Sequence, residues 1–227
     1  NAGGPLNIGN GIILGTGRVT DVQGPNELPD TQTAFGNPGD ADLAALIDPG
    51  TNDASTLEFD LEVPPGVDTI SFRYVFGSEE YNEFTGTEFN DVFAFFVNGT
   101  NVATVPDPGN PNKRIPASIN NVNHGQEGET TETNPQLFIN NDPHTGDQVT
   151  VDPESPPGPG IGFDPASTNP EEPFDTEMDG FTAPLKVTAD VTPGTTNSVK
   201  IAIADATDAI FSSWVLIPAN SFVVETG

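Results

Sequence analysis

The chain has 227 residues, with 34 acidic residues against 6 Lys and Arg, a formal net charge of −28. That balance excludes a general electrostatic affinity for nucleic acid or anionic lipid. The lack of cysteine excludes disulfides, thiolate metal sites and a Cys nucleophile. No apolar run approaches the ~18–20 residues of a membrane-spanning helix.

Residues 1–11 are rich in Gly and Asn and place Leu6 and Ile8 at alternate positions, a candidate donor strand for a neighbouring sheet. Residues 12–227 read as a single β-sandwich domain. A weak strand pattern covers Ile12 to Val19. Asp40 is a candidate N-cap for a short helix from Ala41 to Ile47, which Pro49-Gly50 stops.

Leu57, Phe59, Leu61 and Val63 alternate with Glu58, Asp60 and Glu62, the pattern of a strand with one apolar and one anionic face. After Pro64-Pro65-Gly66 the alternation resumes at Ile70, Phe72, Tyr74 and Phe76. Val92 to Val97 is apolar throughout, and Asn98-Gly99 predicts a type I′ hairpin returning through Val102 to Val105. Gln136 to Ile139 and Val149 to Val151 are weaker strands. Residues 143–179 form a long Pro/Gly-rich excursion. Leu185 to Val191 and Val199 to Ile203 alternate again and, with the runs at 57–63 and 70–76, suggest a meander; Ser213 to Ile217 and Ser221 to Val224 close the series. The expected fold is all-β: an antiparallel, jelly-roll-like two-sheet sandwich with long loops and at most one short helix.

The densest polar cluster is Gly77 to Asp91. Glu79, Glu80, Glu83, Glu88 and Asp91 crowd there with Asn82 and Asn90, and neither Lys nor Arg occurs between Arg73 and Lys113. Crowded carboxylates repel unless one protonates or a cation intervenes. Ca²⁺, which takes six to eight oxygen ligands, is the expected cofactor; a solvated acidic loop is the competing reading. Asp179, together with Asp175 and Glu177, and the pair Asp205 and Asp208 sit at strand ends from which they can reach the same tip. The expected metal ligands are Glu79, Glu80, Asn82, Glu83, Asn90, Asp91, Asp179, Asp205 and Asp208. His124 and His144 stand in polar loops outside any catalytic motif, Trp214 alternates with core residues, and Asn98-Gly99-Thr100 matches the N-glycosylation acceptor.

The run Phe76-Gly77-Ser78-Glu79-Glu80-Tyr81-Asn82-Glu83-Phe84, followed by Phe89-Asn90-Asp91-Val92-Phe93-Ala94-Phe95-Phe96-Val97-Asn98-Gly99, resembles the signature of the choice-of-anchor L domain. Gly24-Pro25-Asn26, Gly39 to Leu43, Ser118 to Asn123, Asn134 to Asp142, Asp179 to Thr182 and Ile203 to Asp208 follow in the same order. The resemblance implies an exported, β-rich prokaryotic surface module without established enzymatic activity. Ser212-Ser213 stands where that family tends to carry Asp-Ser.

The functional expectation is therefore a non-enzymatic, secreted or cell-surface structural protein. It would be a Ca²⁺-stabilised subunit that forms a homopolymer by strand addition into a filament or matrix, with no nucleic acid and no membrane insertion. The alternative is a Ca²⁺-dependent adhesin or carbohydrate-binding module for surface glycans.

Overall fold

A computed structural model describes residues 10–26, 28, 30–48, 50–126, 132–141 and 175–225. Leu6, Ile8, His144, Val149 to Val151 and the excursion up to residue 174 lie outside the described residues.

Among the described residues, thirteen strands form two antiparallel sheets. Sheet one contains β1 (Gly11–Gly15), β3 (Thr69–Ser78), β8 (Phe138–Asn140), β9 (Gly180–Thr182), β10 (Leu185–Asp190), β12 (Ser213–Pro218) and β13 (Val223–Glu225). Its order is β1-β12-β3-β9-β8, with β10 and β13 flanking the first half of β3. Sheet two contains β2 (Thr51–Glu62), β4 (Val92–Val97), β5 (Thr100–Asn101), β6 (Thr104–Asp107), β7 (Asn110–Ser118) and β11 (Thr196–Ala206), in the order β2-β11-β4-β7-β6, with β5 on β4.

The pleat explains the core. Ile70, Phe72, Tyr74 and Phe76 project from sheet one onto Phe93, Phe95, Val97, Val199, Ile201 and Ile203 of sheet two. Phe72 meets Phe95 at 4.1 Å and Tyr74 meets Phe93 at 4.7 Å between ring centroids. Outside sheet two, Leu43 of α1 (Ala41–Ala44) covers Val92, Ala94 and Phe96. Outside sheet one, Trp214, Phe181 and Met178 pack on Val75, and the Trp214 ring nitrogen donates to the Arg18 carbonyl at 3.2 Å. Gly77 and Gly180 are needed here, since a Cβ would strike Met178 at the first and the Phe138 ring at the second.

The type I′ hairpin is present, with φ of 49° at Asn98 and 78° at Gly99. The return strand is broken into β5 and β6 because the Asn101 side chain accepts from the Phe95 and Ala103 amides. Asp40 caps α1, accepting from the Asp42 and Leu43 amides at 3.0 and 3.1 Å. The helix is one turn, shorter than expected, with Leu46 and Ile47 packing just beyond it. Of the strand expected from Ile12 to Val19, Ile12 to Gly15 lies in β1, which starts a residue earlier at Gly11, and residues 135–137 are a 3-10 turn ahead of β8.

Two expectations are corrected. The four alternating runs are not a meander: β2 pairs with β11 and β3 with β10, so the chain changes sheets between β2 and β3 and again between β10 and β11. Residues 63–68, with two prolines, form a link longer than a two-residue hairpin turn, and each strand finds its partner across the sequence. Nor is the apolar face of β2 wholly buried. Leu57 and Phe59 are exposed because β2 is the edge of sheet two.

Candidate functional site

The acidic residues meet at one tip of the sandwich, where β1, β3, β8, β7 and β11 end and β2, β4, β9 and β12 begin. Strand alternation aims them. Asp91 continues the inward row of Phe93 and Phe95, and Asp205 continues that of Ile201 and Ile203. Ser213 lies in the row of Val215 and Ile217. These residues form the last rung of the core. A β-bulge on β2 lies beside Asp205, where Asp53 takes a φ of 42° and accepts from the backbone amides of Phe35, Gly36 and Asn37.

The carboxylates are buried: Glu79 and Glu80 are each 1% exposed, Asp91 0% and Asp205 3%. Glu79 and Glu80 follow the end of β3 in a bend, and their side chains enter two different surroundings. Glu79 faces Thr31, in the stretch that also brings Asn26 and Leu28 to the acidic groups. Its Oε2 accepts from the Thr31 amide at 3.0 Å. Nearby, Glu177 accepts from the Leu28 amide and the Thr31 hydroxyl, and Asp179 accepts from the Asn26 side chain at 2.8 Å. Burial first, then the charges of Asp179 and Glu177, push Glu79 up to about 10.

Glu80 faces inward. Neither of its carboxylate oxygens has a hydrogen-bond partner among the described residues. Burial, then Asp91, Asp208 and Glu83, push it up to about 10. Asp91 ties the sheets together. Its Oδ1 accepts from the Ala206 amide of β11 at 2.8 Å, and its Oδ2 accepts from the Ser213 hydroxyl of β12 at 2.6 Å. Burial raises both Asp91 and Asp205, and the Asp91 charge raises Asp205 further, so the two titrate as a pair. Asp205 Oδ1 has no partner among the described residues.

The other expected ligands divide. Asn82 is buried, donates to Asn140 at 3.0 Å, and leaves its own side-chain oxygen without a partner among the described residues. Asp208 is half-buried and shapes a turn by accepting from the Ile210 amide at 3.2 Å. Asn90 is spent on the Asn120 amide at 2.9 Å, and Glu83 is exposed on the loop. Asn98 is exposed, but its Nδ2, the atom a glycan would use, donates to Asn197 at 2.8 Å.

Sequence reasoning missed the neutral partners. Thr16, Asn26 and Thr31 touch the acidic groups directly, and Ser78 Oγ accepts from the Glu80 backbone amide at 2.9 Å. Asn26 stood in a quoted motif, whereas Thr16 and Thr31 carry no local signal. Ser212-Ser213 serves the tip: the Ser213 hydroxyl binds Asp91, and Ser212 Oγ accepts from the Thr33 amide at 3.1 Å.

The donor set is all oxygen, which fits a hard cation such as Ca²⁺. Among the described residues, no group of three Asp, Glu or His side chains is arranged to hold a metal ion. A cation at the tip would therefore have to draw on single carboxylates and neutral oxygens, and the side-chain oxygens left without a partner among the described residues include Asn26 Oδ1, Glu79 Oε1, both of Glu80, Asn82 Oδ1 and Asp205 Oδ1. Exposed His124 packs edge-on against Phe138 with centroids 4.8 Å apart.

The model of the choice-of-anchor L domain matches residues 1–223, and the chain belongs to that family. It is a family of cell-surface or secreted β-rich domains and is not known as enzymatic. Neither the curated proteins nor the solved structures contain a match. No described helix is long and apolar enough to cross a membrane.

Proposed function

We propose that the chain is a structural subunit of an extracellular filament or matrix, locked at its acidic tip by Ca²⁺ and assembled from copies of itself. The observation that carries the metal part is Glu80, a carboxylate 1% exposed, with both oxygens unpartnered among the described residues and further carboxylates around it. Burying such a charge unpaired costs several kcal/mol, and keeping it protonated at neutral pH is costly as well. A divalent cation relieves both.

The tip draws on both sheets, so an ion there ties β3 to β4 and β11 and stiffens the sandwich along its length. A module that bears load at a cell surface gains from that. Titration of Ca²⁺ into chelator-stripped protein at fixed ionic strength tests the reading. Saturable binding with a raised melting temperature supports it; a response that follows total salt, with no preference for Ca²⁺, removes the specific ion. A glycan array with and without chelator separates a structural ion from one that bridges to sugar hydroxyls.

A further inference from the structure

One flank of the sandwich is open. β1 and β2 are the edge strands of the two sheets on the same side, and β1 lies across from β2 and β11. β13 adjoins β3 on that side as well, as β12 does. Register shows which side chains there belong to the core face. Ile12 pairs with Ile217 and Val224 with Ile70, while Leu57 pairs with Ile201 and Phe59 with Val199. All four partners are buried, yet Ile12, Val224, Leu57 and Phe59 are 38–49% exposed. The outward edge of β2 from Ser55 to Glu62 has no backbone partner among the described residues; the 37–38 segment pairs only with residues 52–54. Among the described residues the interior thus lacks one strand's worth of cover.

We infer that this flank is the acceptor groove for residues 1–10 of a second copy, whose Leu6 and Ile8 pack on Leu57 and Phe59 while its backbone extends β2. The inference rests on the self-assembly reading and names the surface that performs it. Length agrees: the free edge is eight residues long, and ten extended residues span about 33 Å. Spacing agrees, since Leu6 and Ile8 are two apart, as are Leu57 and Phe59. Charge agrees too. Residues 1–10 carry no ionisable side chain in a chain of net charge −28, and the edge presents Glu58, Asp60 and Glu62, which would repel an acidic donor. Asn10 continues the pairing of β1 with β12, its carbonyl accepting from the Ala219 amide at 2.6 Å. Head-to-tail donation of this kind propagates without closing.

The native chain has no cysteine, so disulfide trapping is clean. Full-length chains carrying both Ile8→Cys and Phe59→Cys are mixed with Ca²⁺, oxidised and separated without reductant. A ladder of dimers and higher species is expected, and it should fall at least about fivefold when Asn7→Cys replaces Ile8→Cys, since residue 7 points the other way. A cross-link confined to monomers overturns donation between copies. No cross-link from a protein that still polymerises overturns the choice of groove and leaves self-assembly standing; a wild-type chain that stays monomeric at every concentration overturns self-assembly itself. Phe59→Glu in the otherwise native chain should abolish polymers with little change in melting temperature, because the position is exposed in the single chain.

Discussion

Two acidic groups in this molecule are built from the same residues and reach opposite electrostatic states. Asp40 and Asp42, at the start of α1, hold the Lys200 ammonium at 2.5 and 2.7 Å. Hydrogen bonds to Lys200 and to the α1 amides outweigh burial, so the Asp40 carboxyl lies below its ordinary range; Lys200 in turn lies above its own. At the tip, burial and mutual repulsion drive Glu79, Glu80 and Asp205 far upward. The sequence provides a cation for the first group, and around Glu80 only carboxylates contribute charge. Burial is tolerable for a carboxylate when its counter-charge is buried with it.

The largest expected effect is on pH dependence. A carboxyl whose folded pKa is raised binds its proton more tightly when folded, so its contribution is greatest below about 4.5 and is lost as pH rises toward about 10. In chelator, stability should therefore fall with rising pH by about 1.4 kcal/mol per unit for each group that stays protonated. Ca²⁺ needs the deprotonated form, so its affinity should climb over the same range. Denaturant melts across pH, with and without Ca²⁺, check both signs.

Glu80→Gln sharpens the contrast next. It keeps the shape and removes the charge, so in chelator at pH 7 it should stabilise by up to about 3 kcal/mol, while the Ca²⁺-dependent rise in melting temperature should shrink sharply. Ser213→Ala should then cost about 1–3 kcal/mol by stranding a buried oxygen of Asp91. The smallest effect belongs to the neutralised group: Asp40→Ala should cost about 1 kcal/mol from the lost helix cap, the same with and without Ca²⁺.

Much of this was legible from alternation. The rows ending in Phe93-Asp91 and Ile203-Asp205 place both aspartates one pleat beyond the core, so their meeting at one tip follows from strand direction once the strands are known. Asp40 as a cap and Asn98-Gly99 as a hairpin turn are local, and local chemistry decided them. What alternation cannot tell is which strands adjoin. The exposure of Leu57 and Phe59 comes from the position of β2 at an edge, and the pairing of β2 with β11 closes a loop of more than a hundred residues. The difference between Glu79 and Glu80 was equally hidden: it depends on Thr31 and Asp179 meeting the first and Asp91 and Asp208 the second.

The most direct test is the melting temperature of the purified chain from pH 5 to pH 9, in chelator and in Ca²⁺ at one ionic strength. The account predicts two diverging curves, with the chelated protein losing stability as pH rises and the Ca²⁺-bound protein holding or gaining it. Curves that superimpose across the range would contradict a cation at the tip.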